Sequence, residues 1–314
     1  MSSDREAASG STGAQVFTAD DVHRLLTYPS AIQALERAFA TLQVSAPPRS
    51  SVSTERGTIL LMPAFGEGGL GVKLVTLTPE NPEAGLPFVQ ATYVLFDAVT
   101  QSLRAVIDGS SLTAIRTAAV SALATRFLAA PDAHRLVIFG AGVQANSHLD
   151  AMRAVRPIDE LVVISRSPGA AEALVNRASA DGLRASVGTP EAAAGADIVC
   201  TCTTSPDPVF DGSLLAEGAH VNAVGAYTLE TRELDEAAVR DAAIVVETRE
   251  VALAESGDLA LAFGPATADR IDADLHEVVT GAEPTGHHSA FVSAGVAFED
   301  LAVAVVLEAN ADAG

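Results

Sequence analysis

The chain has 314 residues, 48% of them hydrophobic, with 2 cysteines and no tryptophan, and 40 acidic against 19 basic residues give a formal charge of −21. That length accommodates one large domain or two ordinary ones, yet no stretch approaches the roughly 20 uninterrupted apolar residues of a membrane span. So acidic a surface repels phosphate backbones and anionic lipid, which disfavours nucleic acid and membranes as partners while leaving room for a local cationic pocket.

MSSDREAASGSTGAQ is polar, without a basic start and an apolar core, so residues 1–14 are expected to form a disordered leader and the protein to be cytoplasmic. Thr18 with Asp21 three residues on resembles a capping box, followed by an apolar period through Val22, Leu25 and Leu26. Pro29 at a first helical turn opens the next helix, with Ile32, Leu35, Phe39 and Leu42 on one face. TILLMPA at 58–64, GVKLVTLT at 71–78 and FVQATYVLFD at 88–97 read as strands, separated by Gly- and Pro-bearing turns. This segment therefore combines helices with an antiparallel or mixed sheet. SLTAIRTAAVSALATRFLA at 111–129 is an Ala-rich helix suited to bridge two domains.

From residue 135 the rhythm changes. RLVIFG, ELVVIS, ADIVCTC, AHVNAVG and AAIVVET are short apolar strands with helical or loop segments between them, the pattern of a parallel sheet covered on both faces. The fold class is thus α/β, with a Rossmann-type doubly wound sheet. Cys200 and Cys202 read as buried strand residues; no metal site is expected, because no His or Cys cluster lies nearby at ligand spacing. RLVIFGAGVQA puts Gly140, Gly142 and Ala145 on the G-x-G-x-x-G/A pattern between a strand and a helix, with the helix start at Val143 and Gln144 facing the pyrophosphate. The next strand ends at Ser165, Arg166 and Ser167, where an NAD site normally carries Asp or Glu. An Arg between small hydroxyl residues suits a 2′-phosphate, so NADP(H) is the expected cofactor and NAD(H) the second choice. Arg166 as a surface residue over the sheet edge is the other reading. The final segment, SAGVAFEDLAVAVVLEANA, is helical and expected to pack back on the first domain.

PPR at 47–49, LMPA at 61–64, GVKLV at 71–75, NPEAGLP at 81–87, LTAIRTAAVSALAT at 112–125 and FGAGVQA at 139–145 resemble the ornithine cyclodeaminase/mu-crystallin family. VNAVGA at 221–226, REL at 232–234, ESGDL at 255–259 and SAGVAFEDLA at 293–302 extend the resemblance along almost the whole chain. It implies a Rossmann domain over 131–289 inserted into a substrate-binding and dimerisation domain formed by 15–130 and 290–314. It also implies a homodimer with the active site between the domains. The family's carboxylate-binding and catalytic positions fall on Arg49, Lys73 and Arg116. All three are cations in apolar or small-residue segments, where Arg grips a carboxylate bidentately and Lys supplies a movable proton. Neighbouring guanidinium groups should lower the Lys73 pKa. Ordinary salt-bridged residues are the competing reading. Thr117 falls on a phosphate-contacting position, and the dinucleotide site is expected to extend to Thr203, Val224, Ser293 and Gly295.

Departures from the family pattern shape the functional reading. Ornithine cyclodeaminases carry an acid two positions after the VG of the VNAVGA-like stretch; here Tyr227 stands there and joins the candidate catalytic set. Phe88 makes one pocket wall apolar by position count, and His287 with His288 reads as an exposed loop pair. The leading expectation is an NADP-dependent oxidoreductase delivering hydride to the C=N bond of a small, cyclic imino or ketimine carboxylate. An amino-acid dehydrogenase or cyclodeaminase releasing ammonia, and a non-catalytic small-molecule binder, are the alternatives.

Overall fold

A computed structural model describes residues 13–66 and 68–313. The expected leader therefore lies outside the described residues up to position 12, and the first strand, β1 (Gln15–Phe17), begins where that leader was expected to end. Next come α1 (Ala19–Leu25), α2 (Tyr28–Thr41), β2 (Val44–Ser45), β3 (Ser50–Ser53), β4 (Thr58–Gly66), β5 (Gly69–Leu77), β6 (Val89–Phe96), β7 (Leu103–Asp108) and α3 (Gly109–Leu128). The Thr18–Asp21 capping box forms, and Pro29 sits in the first turn of α2, whose face of Ile32, Leu35 and Phe39 is buried. Leu42 is not on that face. It stands past the helix end at φ 48°, in the left-handed region, and is exposed.

The first sheet runs β1-β7-β6-β5-β4-β2, with β3 on β4; β2 to β7 pair antiparallel and β1 joins β7 in parallel. Alternation along β5 sends Lys73 and Val75 to the covered face, toward the helices, and leaves Leu74 and Thr76 exposed. Register places Met62, Lys73 and Tyr93 side by side across β4, β5 and β6.

The second sheet is wholly parallel. Its strands are β8 (Arg135–Phe139), β9 (Glu160–Ile164), β10 (Arg184–Val187), β11 (Ile198–Thr201), β12 (His220–Ala223), β13 (Ala242–Val246), β14 (Ala273–Asp274) and β15 (His288–Val292). The helices are α4 (Val143–Arg153), α5 (Pro168–Ala180), α6 (Glu236–Arg240), α7 (Arg249–Glu255), α8 (Gly257–Phe263), α9 (Thr267–Arg270) and α10 (Leu275–Val279). The order is β10-β9-β8-β11-β12-β15-β13-β14, so the direction of winding reverses between β8 and β11, where a doubly wound sheet opens its ligand crevice. Residues 290–292, expected in the substrate domain, lie instead in β15, the strand between β12 and β13. HSAFV is buried at every position, which only a site covered on both faces provides. His288 is correspondingly buried, its ring nitrogen 2.7 Å from the Ala238 carbonyl, and only His287 is exposed.

The chain leaves that sheet after Val292, and α11 (Ala297–Asp312) packs on α2, α3, β4 and β5 of the first sheet, as expected of the last helix. α3 is buried along most of its length and touches α2, α4, α11, β6, β12 and β15. Its alanines permit close approach on all sides, so it is a shared wall between the sheets.

Candidate active site

A cavity of about 550 Å³ opens where the strand ends of the parallel sheet face α3 and the covered side of β4, β5 and β6. Arg49, Lys73, Arg116, Thr117, Gly142, Val143, Gln144, Thr203, Val224, Tyr227, Ser293 and Gly295 all line it. Gly140, Ser165, Arg166 and Ser167 do not.

On the crevice side, Gly140 has φ 106°, and a Cβ there would sit 2.3 Å from the Cys202 carbonyl oxygen, so the loops after β8 and β11 press together at this glycine. A Cβ on Gly142 would meet nothing, although the residue lines the cavity and caps α4 without a side-chain bond. Ala145 is fully buried, letting helix and strand approach. Gln144 Oε1 is buried with no partner. Open space above a glycine and uncapped helix amides fit a pyrophosphate, and the orphaned Gln144 acceptor fits a hydroxyl donor such as a ribose supplies. Ser165, Arg166 and Ser167 follow β9 beside this turn, where the Gly140 amide donates to the Ile164 carbonyl at 2.8 Å. Arg166 and Ser167 are exposed, and no acidic residue occurs between the end of β9 and Glu172. Cys200 is buried in β11, but Cys202 lies past the strand end and lines the cavity.

The cations gather at the other end. Lys73 Nζ lies 2.8 Å from Asp300 Oδ2. Arg116 Nη1 donates to Glu299 Oε2 at 2.8 Å, and its Nε lies 3.4 Å from Asp300 Oδ1. Burial brings the Lys73 ammonium down to about 8, opposed by Asp300 and assisted by Arg116. The expected direction holds, but desolvation is the leading cause, with the Arg116 guanidinium a smaller one. Burial likewise lifts Glu299 to about 8 against the pull of Arg116. Arg49 reaches in from the loop before β3. Its Nη2 donates to the Ala294 and Gly295 carbonyls at 3.1 and 3.0 Å and pairs with Glu255 Oε2 at 2.5 Å.

Sequence reasoning missed the acids behind these cations. Glu299 and Asp300 stood in plain view within VAFEDLAVAVV, two adjacent charges in an otherwise apolar helix, a pattern that demands buried partners. Glu247 carried no such signal. It accepts from Ser293 Oγ at 2.5 Å and from the Ala294 and Gly295 amides at 3.0 Å each, which shapes the turn after β15. Gly295 has φ 80°, and a Cβ there would lie 2.8 Å from Arg116 Nη1, so this turn and the guanidinium fit only around a glycine. Tyr227 is half exposed at the cavity edge. Phe88 does not line the wall expected of it; Pro87 and Val89 do, with Leu60, Val75, Leu77 and Ala91. That wall is apolar nonetheless. Among the described residues, no group of three His, Cys, Asp or Glu is placed to hold a metal ion, and no helix is long and apolar enough to cross a membrane.

The model of the ornithine cyclodeaminase/mu-crystallin family matches residues 13–314. The chain is 40% identical to the rat ketimine reductase mu-crystallin over 257 residues, covering 81% of this chain and 80% of that protein. Among solved structures it is similar to the Δ1-pyrroline-2-carboxylate reductase of Thermococcus litoralis in complex with NADH and L-proline. That match has a TM-score of 0.89 and 34% identity and covers 95% and 98% of the two chains. An archaeal alanine dehydrogenase dimer with bound NAD matches with a TM-score of 0.90 and 32% identity over 96% of each chain. With its motifs set around one cavity in this arrangement, the chain belongs to the ornithine cyclodeaminase/mu-crystallin family.

Proposed function

We propose that this protein is an NADP(H)-dependent reductase of the C=N bond in a small, cyclic imino carboxylate. The observation that carries the reading is a single cavity joining the dinucleotide turn at Gly142 to a buried Lys73–Arg116 pair across an apolar wall. A bound nicotinamide supplies the hydride for the imine carbon. Arg116 and Arg49 hold the substrate carboxylate, each anchored from behind by an acid so that its guanidinium is fixed before substrate arrives. Lys73 holds a proton at Nζ for the imine nitrogen, and a pKa of about 8 leaves it charged at neutral pH yet ready to give that proton up. Tyr227 closes the edge of the cavity with a phenol hydroxyl. The cyclic substrate follows from the wall of Leu60, Val75, Leu77 and Ala91, which offers nothing to a second charged group. The 2′-phosphate preference follows from Arg166 and the missing acid after β9.

A homodimer is part of this reading. On the face of the first sheet turned away from its helices, Leu61 pairs with Leu74 and Phe65 with Leu70, and Phe65 and Leu74 are exposed. An apolar sheet face of this kind favours a second copy of the chain. The similarity to an archaeal alanine dehydrogenase keeps oxidation of a free amino acid as the second reading. One experiment separates the two: NADPH oxidation with cyclic imino carboxylates, run against NAD(P)⁺ reduction with free amino acids. Turnover only in the second assay would overturn the proposal.

A further inference from the structure

Glu233, in the REL stretch, is fully buried, and no cation among the described residues pairs with it. Its Oε1 accepts from the Thr203 amide at 2.7 Å and the Thr203 hydroxyl at 2.6 Å. Its Oε2 accepts from the Thr201 hydroxyl and the Gly225 amide, both at 2.7 Å. Four donors saturate a carboxylate, so Glu233 has no lone pair left for a ligand or a transferring proton. Burial pushes its pKa up, and the four donors oppose that shift. Its own amide and that of Leu234 are held by the buried Asp258 of the ESGDL stretch at 2.7 and 2.8 Å.

The two ends this carboxylate ties together are the loops after β11 and β12, and Thr203, Thr204, Val224 and Gly225 all line the cavity. In the sheet order β11 and β12 stand between β8, which leads to Gly142, and β15, which leads to Ser293 and to Gly295 beside Arg116. A dinucleotide with its adenine half near Ser165–Ser167 must bring its reacting half here to meet the substrate cations. The Thr203 hydroxyl has no proton to offer it, because it already donates to Glu233 while accepting from the Ser205 amide at 3.0 Å.

We propose that Glu233 is a positioning residue for the nicotinamide half of the dinucleotide, fixing the spacing of the loops after β11 and β12 without touching the cofactor. The inference rests on the dinucleotide reading of the crevice. Only an acceptor-only group serves: in Glu233→Gln the amide nitrogen would face either the Thr203 donors or the Gly225 amide, donor against donor.

The test is calorimetric titration of the full chain with NADPH and with adenosine 2′,5′-bisphosphate, which carries the adenine half alone. Glu233→Gln should raise the NADPH dissociation constant about tenfold or more, the loss expected for bonds to a charged acceptor. The bisphosphate constant should stay within about twofold, a split that general loosening of the fold would not produce. Unchanged NADPH affinity, or equal weakening of both ligands, overturns the proposal. Should Glu233→Gln fail to fold, Thr201→Val decides by the same two titrations, because it removes one donor from behind the strand and leaves the cavity lining intact. A parent protein that binds neither NADPH nor NADH would overturn the crevice reading together with this one, an outcome distinct from a normal parent with a normal variant.

Discussion

The buried cation cluster of the cavity and the exposed turn after β9 are built on opposite principles. At the substrate end, Lys73 and Arg116 are 2% and 6% exposed, and each is matched by an acid on α11 that is itself fully buried. At the nucleotide end, Arg166 stands in solvent on a turn between small hydroxyl residues. A buried ion needs a partner to exist there at all, so the first end is fixed by desolvation and responds sharply to any change. The second end is tunable: an exposed guanidinium contributes little until a phosphate arrives, and its loss disturbs nothing else. On the proposed reading, chemistry and cofactor choice are therefore separable.

The largest expected break is at Arg116. Arg116→Ala removes the proposed carboxylate grip together with the guanidinium that Glu299 and Asp300 hold in the buried cluster. We expect kcat/KM with the imino substrate to fall at least about 100-fold, because a bidentate grip makes two charge-assisted contacts worth about 1.5–3 kcal/mol each, with NADPH affinity nearly intact. An unchanged kcat/KM would return Arg116 to a purely structural place in α3.

Lys73 gives the next effect, through pH. A lysine whose pKa is lowered to about 8 is ammonium below that pH and neutral above it. If its proton goes to the imine nitrogen, kcat/KM is sustained below about 8 and declines as pH rises through that value, toward about one decade per unit. Glu299, raised to about 8, ionises in the same window, and its added negative charge favours the protonated lysine, which broadens the decline. A profile that stays level up to the ordinary lysine range near pH 10 would remove Lys73 from the proton transfer.

A smaller and more selective change is expected at the nucleotide end. One charge-assisted contact is worth about 1.5–3 kcal/mol, so Arg166→Ala should weaken NADPH roughly 10- to 150-fold and leave NADH nearly untouched. Parallel titrations of the two cofactors check it. Equal losses, or a parent that prefers NADH, would mean that Arg166 is only a surface residue at the sheet edge.

How far the sequence revealed all this differs between the same two ends. The G-x-G-x-x-A turn was legible because strand, glycine and helix are local in the chain, and its geometry follows from backbone sterics within a few residues. The cations were legible as charges out of place in apolar segments. Their partners lie far away in the chain: Asp300 is brought to Lys73 only when α11 returns to the first sheet, and Glu247 meets Ser293 only because β15 inserts beside β13. β15 itself went unread, since a five-residue run before the motif of the last helix resembles the end of a loop. Phe88 was misplaced for a simpler reason. One step along a strand reverses the face, and Val89 took the wall instead.

The smallest expected signal is none at all: this protein should not cyclise ornithine or lysine. Such a cyclisation oxidises the amine carbon, lets the distal amine attack the resulting iminium and expels ammonia, so a group must hold the distal nitrogen and take its proton. An anionic acid beside the site could do both. Tyr227 offers a phenol hydroxyl, which can hydrogen-bond an ammonium without neutralising it. The acids that do lie near the cavity are already committed: Asp300 to Lys73, Glu299 to Arg116, Glu255 to Arg49, Glu247 to the turn after β15 and Glu233 to its four donors. A distal ammonium would then rest on Leu60, Val75, Leu77 and Ala91, where its lost hydration goes uncompensated. Ring closure beforehand removes that charge, and a cyclic imine fits the same wall at no such cost. Incubation of the protein with ornithine or lysine and NAD(P)⁺ should release no ammonia and form no proline or pipecolate above background. Efficient turnover of either would mean that one of these acids leaves its partner during the reaction, with Glu255 the first to examine because its side chain is about 20% exposed while Glu247, Glu299 and Asp300 are buried.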